Sequence, residues 1–202
     1  MIAKEEKIDC EVTREDVEDA IRTIIQWTGD DVNRDGLEDT PARVARSFEE
    51  FFSGYKEDPQ QFLSRTFEES DGYDEMVLLR DIPFVSHCEH HMLPIIGRAH
   101  VAYIPRDRVV GISKLARVVN LYAKRLQIQE KMTAQITNAI NEVLNPIGCA
   151  VVIEAEHQCM SIRGVKTGGS SSMITSKLSG AFKNNDAMRS EFMSLCGLSR
   201  IK

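Results

Sequence analysis

Apolar side chains in the first third of the chain recur at helical spacing. Thr13 can cap a helix whose apolar residues fall on one face: Val17, Ala20, Ile21, Ile24 and Ile25. Thr40 is a second candidate cap, and Pro41 suits the first position of the helix that follows. That helix also has an apolar face, made by Val44, Ala45, Phe48, Phe51 and Phe52. The pattern predicts a helical N-terminal region over residues 1–70.

In the remainder of the chain, the spacing of apolar residues changes several times between that of a strand and that of a helix. Short β-branched or alternating runs at 77–79, 95–104, 150–155 and 159–165 predict strands, the last two paired across a short turn. Between the second and third runs lie two helical patterns, one capped by Ser113 and one running from Ile128 to Val143. Residues 167–172 are typical of a loop, and 187–195 of a short final helix. The predicted order is strand, strand, helix, helix, strand, strand.

Length and composition place this pattern in a globular protein. The chain has 202 residues, 42% hydrophobic and 28% charged, which suits one domain with a helical appendage. We therefore predict an α+β domain over 71–202 behind the helical region 1–70. No apolar run approaches the ~18 residues of a membrane span, and the first residues lack a signal core, so we expect a cytoplasmic protein.

Charge is distributed unevenly along the chain. The net charge is −6, the wrong sign for a general nucleic-acid binder. Residues 1–40 carry 13 acidic and 5 basic side chains, whereas residues 97–131 carry 8 basic and 2 acidic ones. A basic stretch within an acidic protein indicates a local anionic ligand, although a solvated helix face is the simpler reading of charge alone.

Three of the five histidines lie in one hexapeptide, 86–91. Cys88 and His91 have the spacing of two ligands of one zinc ion, and Cys159 is the natural third. Such a set leaves the fourth tetrahedral position to water, as in catalytic zinc sites. A structural zinc site, closed by Cys149 or His157, is the alternative. We expect the other cysteines, Cys10, Cys149 and Cys196, to be buried small hydrophobic residues.

Five motifs in a fixed order complete the picture. They occupy residues 39–45, 88–91, 111–117, 125–133 and 157–164, and the second of them reads Cys-Glu-His-His. Together they resemble GTP cyclohydrolase I from about residue 13 to the C-terminal helix. The resemblance implies a tunnelling fold, in which each subunit gives a four-stranded antiparallel sheet and two helices to a shared barrel. It also implies a homodecamer of two pentameric rings, with active sites at subunit interfaces.

The resemblance further implies a reaction and roles for its residues. The family opens the imidazole ring of GTP, releases formate and recyclises the product to 7,8-dihydroneopterin triphosphate, the first step of folate or tetrahydrobiopterin synthesis. Cys88, His91 and Cys159 match the zinc ligands, and His90 and His157 the proton-transfer residues. Glu130, with Gln129, matches the group that holds the guanine edge. The triphosphate set comprises Ser113, Lys114, Arg117 and Arg163.

Two other classes of function remain open at this point. A nitrile reductase of the queuosine pathway would share the tunnelling fold but use a nucleophilic cysteine and NADPH; the grouping of Cys88, His91 and Cys159 argues against it. A non-enzymatic zinc-stabilised assembly protein would instead have a site closed by four protein ligands.

Overall fold

The computed structural model describes residues 11–67, 72–166 and 171–198. The chain divides into two compact units, one ending at Ser53 and the other beginning at Gly54. The predicted boundary at 70/71 lies outside the described residues. Among the described residues, no helix is both long and apolar enough to cross a bilayer.

The first unit is a pair of helices, α1 (Arg14–Trp27) and α2 (Thr40–Phe51). Thr13 caps α1 as predicted: its hydroxyl accepts a hydrogen bond from the Asp16 amide, and the Asp16 carboxylate accepts one from the Thr13 amide. The start of α2 lies one residue earlier than predicted. Asp39 is its N-cap, and Thr40 and Pro41 are already helical.

The second unit alternates strands and helices. After a 3-10 turn (Ser53–Lys56), its elements are α3 (Pro59–Leu63), β1 (Thr66–Phe67), β2 (Val77–Cys88), β3 (Pro94–Ile104), β4 (Val109–Val110), α4 (Ile112–Ala123), β5 (Leu126–Gln127), α5 (Gln129–Leu144), β6 (Gly148–His157), α6 (Gln158–Ser161), β7 (Met173–Gly180), α7 (Ala181–Asn184) and α8 (Asp186–Leu195). The predicted order of two strands, two helices and two strands is present in β2, β3, α4, α5, β6 and β7.

One sheet organises this unit. Its order is β5-β2-β3-β6-β7, with four long antiparallel strands and a two-residue parallel pairing of β5 with the end of β2. The long strands alternate, so each sheet face has its own core. On one face, side chains such as Ile82, Val101 and Val151 pack with α4 and α5. On the other, Ala102 and Val152 pack with Phe182 of α7 and Phe192 of α8.

The predicted strand at 159–165 is wrong. Residues 158–161 form the single helical turn α6, and the strand that pairs with β6 is β7, whose Met173 lies opposite Ala155. The backbone explains the difference: Gly164 and Lys166 have φ of +65° and +50°, which an extended strand does not allow. Of the predicted loop 167–172, only Ser171 and Ser172 lie within the described residues.

The helix α4 also begins differently from the prediction. Its N-cap is Gly111, so Ser113 lies inside the first turn and is not the cap. The helix α5 ends as its sequence indicates, because Asn145 takes a left-handed conformation with φ of +45° just before Pro146.

Candidate active site

A tight turn at the end of β2 presents two of the predicted ligands. Cys88 is the last residue of that strand and is buried. Its carbonyl accepts hydrogen bonds from the amides of His91 (3.3 Å) and Met92 (2.8 Å), and its own amide donates to the Leu93 carbonyl at 2.9 Å. The turn depends on Met92, whose φ is +55°. It places the Nδ1 atom of His91 3.9 Å from the Cys88 sulfur.

The third predicted ligand, Cys159, comes from a different strand end, that of β6. Cys159 lies in α6, directly after β6, whose last residue His157 is the register partner of Ile95 on β3. One ligand atom each from Cys88, His91 and Cys159 can be chosen so that all lie within 4.8 Å of one another. Residues 71 positions apart along the chain thus converge because β2, β3 and β6 are adjacent strands.

The chemistry of this group suits a divalent cation. Burial, and then the neighbouring Cys88 thiol, raise the pKa of the Cys159 thiol. A cation between the two sulfurs would offset both effects by stabilising the thiolates. Two thiolates and one imidazole are soft and borderline ligands, the combination preferred by zinc rather than by magnesium or calcium.

Neither predicted candidate for a fourth ligand, Cys149 or His157, belongs to the converging group. Cys149 lies at the opposite end of β6, roughly 25 Å along the strand at about 3.3 Å per residue. It is fully buried, which raises the pKa of its thiol to about 12. His157 is near the group, but its Nε2 atom contacts Gln129 at 3.0 Å. The described residues therefore give a three-ligand set, and Cys149 and Cys196 are buried as predicted; Cys10 lies outside the described residues.

His90 lies in the ligand turn and is exposed, as are its neighbours Glu89 and His91. Its Nδ1 atom lies 3.8 Å from the Cys88 sulfur, and its Nε2 atom 3.9 Å from a Glu89 carboxylate oxygen. It adjoins the ligand group and faces outward, a placement in which an imidazole can exchange protons with a bound molecule.

His157 and Gln129 form a second, internal group beside the ligands. Gln129 is the first residue of α5 and is buried, whereas Glu130 next to it is exposed. Burial lowers the pKa of His157, and the Glu130 carboxylate counteracts this. Arg163 is exposed and near enough to Cys159 to lower the pKa of that thiol slightly against the effect of burial.

The comparisons with known proteins settle the family. The sequence matches the family profile of GTP cyclohydrolase I over residues 17–197. The chain belongs to the GTP cyclohydrolase I family. A relative named GTP cyclohydrolase 1, from Sinorhizobium fredii (strain NBRC 101917 / NGR234), is 56% identical over 183 residues, which cover 91% of this chain and 89% of the relative. A crystal structure of the archaeosine synthase QueF-Like in the apo form is 19% identical, with a TM-score of 0.43 over 52% of this chain and 93% of that one.

Membership of the GTP cyclohydrolase I family confirms the prediction made from five motifs and makes the chain an enzyme. All five motifs lie after α1 and within the matched residues. The same membership removes the non-enzymatic zinc protein and the nitrile reductase from consideration as the main function.

In this GTP cyclohydrolase I family member, two of the three cations predicted to bind triphosphate, Lys114 and Arg117, lie together on α4, whereas Arg163 lies near Cys159. Lys114 and Arg117 lie in the first two turns of α4, beside the exposed Ser113. Burial, and then the charges of Arg117 and Arg65, lower the pKa of Lys114. Arg65 was missed by the sequence reasoning because it lies 49 residues away in no motif. Within the described residues, no hydrogen bond or ion pair joins these cations to the group around Cys88.

Proposed function

We propose that this enzyme carries out the GTP cyclohydrolase I reaction at the group around Cys88. GTP is the substrate; its imidazole ring is opened, C8 leaves as formate, and the remainder recyclises to 7,8-dihydroneopterin triphosphate, the first step of folate or tetrahydrobiopterin synthesis. The observation that carries the proposal is the convergence of Cys88, His91 and Cys159 next to two histidines, in a chain of this family.

Zinc is the metal we propose for Cys88, His91 and Cys159. When bound, it supplies Lewis-acid chemistry that makes water acidic enough to act as a nucleophile at neutral pH. The chain's part is to hold the ion with two thiolates and an imidazole, from a rigid strand end and a helical turn. Protein ligands at only three positions leave room for the reacting groups.

His90 and His157 are the proposed proton-transfer residues. Attack at C8 of a purine is favoured by protonation of N7, and opening of the ring requires a proton for the departing nitrogen. Imidazoles suit both steps because their protonation changes near neutral pH. The two rings occupy different surroundings, since His90 is exposed and His157 is half-buried.

Glu130 is the proposed recognition group for guanine. The exposed carboxylate at the first turn of α5 can accept hydrogen bonds from both N1–H and the 2-amino group of guanine. Adenine offers neither donor at these positions, so the carboxylate would also exclude ATP. The resemblance pairs Gln129 with this role, but its side chain is 2% exposed, so the proposed guanine contact is made by Glu130.

Ser113, Lys114, Arg117 and Arg163 are the proposed triphosphate ligands. Lysine and arginine give charge-assisted hydrogen bonds to phosphate, and the first turn of α4 adds backbone amides. Arg117 is held on its inner side by the Phe62 ring, 5.9 Å from the guanidinium carbon. A contact of this kind does not use the guanidinium N–H groups, which can therefore donate to a phosphate.

We expect Lys114→Ala to raise KM for GTP by about 10- to 100-fold with a smaller change in kcat, because hydrogen bonds to charged groups are worth ~1.5–3 kcal/mol. Lys124→Ala removes the same charge just beyond the other end of α4 and should leave KM within about twofold, because this half-buried lysine is not in the proposed triphosphate set. Steady-state kinetics with GTP measure both. Equal KM values for the two variants would refute a phosphate role for Lys114.

The tunnelling fold and the homodecamer are proposals of the same kind. The four long antiparallel strands with α4 and α5 on one face have the arrangement that such a subunit needs. On the opposite face, the cross-strand partners Val85 and Ile96 are about half exposed, as is Ile174 on β7. Exposed apolar side chains on a sheet favour assembly with further copies, and so does the outer edge of β7, which is unpaired among the described residues.

Assembly predicts a mass near ten times 22.8 kDa in light scattering or sedimentation. Because the α4 cations and the group around Cys88 form separate groups in one chain, a site shared between subunits would lose activity when the assembly dissociates. Specific activity should therefore fall on dilution in step with the measured mass. A monomer with full activity would contradict the proposal.

Incubation of the zinc-loaded protein with GTP tests the function directly. We expect formate in a 1:1 ratio to a pterin that becomes fluorescent after oxidation, and no reaction with ATP. A zinc-replete, assembled sample that leaves GTP unchanged would refute the proposed function.

A further inference from the structure

Gln129 has an unusually complete set of internal hydrogen bonds. Its side-chain nitrogen lies 3.0 Å from the Ile153 carbonyl, 2.9 Å from the Met173 carbonyl and 3.1 Å from the Thr175 hydroxyl. Its side-chain oxygen lies 3.0 Å from Nε2 of His157. The residue is 2% exposed, so the amide faces β6, β7 and His157 and not the solvent.

These neighbours decide which way the amide points. Two of the three atoms around its nitrogen are backbone carbonyl oxygens, which can only accept hydrogen bonds. The opposite orientation would place the amide oxygen against both carbonyl oxygens. These buried acceptors would then lack a hydrogen-bond donor, which is energetically costly. The oxygen therefore faces His157.

The orientation of the amide determines the state of the imidazole. A carbonyl oxygen can only accept, so the Nε2 atom of His157 must be the donor and carry a hydrogen. In the neutral ring the lone pair is then on Nδ1. Thr133 supports the arrangement. Its hydroxyl donates to the backbone carbonyl of Gln129 at 2.7 Å and lies 2.7 Å from the Thr175 hydroxyl, which therefore donates to Thr133 and can accept from the Gln129 amide.

We propose that Gln129 is a positioning residue that holds the His157 ring with its hydrogen on Nε2, so that Nδ1 is the nitrogen that exchanges protons with the substrate. The inference rests on the proposed role of His157 in the GTP reaction. It gives the Gln129 side chain a role different from contact with guanine, because every polar atom of the amide is engaged inside the protein.

The kinetic test compares Gln129→Met with Gln135→Met. Gln135 lies on the same helix and is also partly buried, but its side-chain oxygen accepts from Gln127 at 2.9 Å and does not contact His157. We expect Q129M to lower kcat by about 10- to 100-fold, part of the ~10²–10⁴-fold typical of general acid–base residues, with KM within about twofold. Q135M should keep kcat within about twofold.

A second comparison shows whether Gln129 acts through His157. In a His157→Ala background, Q129M should lower kcat by less than twofold, because the ring that it positions is gone. Losses that multiply in the double variant would overturn the inference. A Q129M variant with raised KM and unchanged kcat would do so too, and would instead support direct contact of Gln129 with guanine.

A spectroscopic measurement separates this inference from the proposed function. Solid-state ¹⁵N spectra of sedimented, histidine-labelled protein distinguish protonated from bare ring nitrogens, and the His157→Ala variant identifies the His157 signals among those of the five histidines. We expect hydrogen on Nε2 of the neutral ring in the unsubstituted protein and a mixture of tautomers in Q129M. Hydrogen on Nδ1 in the unsubstituted protein would overturn the inference, whether or not GTP is converted and whether or not Q129M folds.

Discussion

Cys88→Ser should leave the protein without stoichiometric zinc and lower GTP turnover by roughly 10³-fold or more. Lewis-acid catalysis is worth several kcal/mol, and each 1.36 kcal/mol is a factor of ten in rate. Serine replaces the thiolate with a hard, protonated hydroxyl that zinc binds poorly. Cys88 is also the buried member of the set and stands at the end of β2.

Metal analysis of the assembled protein and the formate assay measure the two effects together. Cys196→Ser is the matched control, because Cys196 packs against the α7–α8 core on the other sheet face. It should keep both zinc and turnover, with at most a modest loss of stability. If C88S bound zinc stoichiometrically and turned over GTP at the normal rate, the proposed metal site would be refuted.

The ligand set could be predicted because its chemistry is visible in short motifs. A cysteine and a histidine three residues apart fit one turn, and Cys159 follows a strand whose β-branched run was clear. The sheet order that unites them was not visible in the pattern itself. It depends on β3 lying between β2 and β6, a long-range pairing that only the full ladder establishes.

Three features could not be predicted from the sequence, for physical reasons. The residues after Cys159 have a β-branched composition, but positive φ values at Gly164 and Lys166 turn the chain and move the edge strand to β7. The hydrogen bonds of Gln129 join α5 to two strands, and a glutamine beside a glutamate gives no signal of such partners in one sequence. Helix ends were missed by one or two residues at Asp39 and Gly111, where the caps use no side-chain hydrogen bond.

His157→Ala is expected to have the second-largest effect, a fall in kcat of about 10²- to 10⁴-fold with little change in KM. The loss differs in kind from that of C88S. His157 lies two residues before Cys159, but its Nε2 atom is engaged by Gln129 and its ring is not part of the converging ligand group. Removing the ring should therefore leave zinc bound, whereas removing the Cys88 thiolate should not.

The combination of zinc content and kcat distinguishes the two roles of histidine at this site. His91→Ala should lose zinc and turnover together, because its ring belongs to the ligand group; H157A should lose turnover alone. Zinc analysis, kcat and KM are measured on the same assembled samples. If H157A lost zinc, His157 would be a fourth ligand and the site would be closed. If it kept zinc and normal kcat, the proposed proton transfer would depend on His90, whose exposed ring lies beside Cys88.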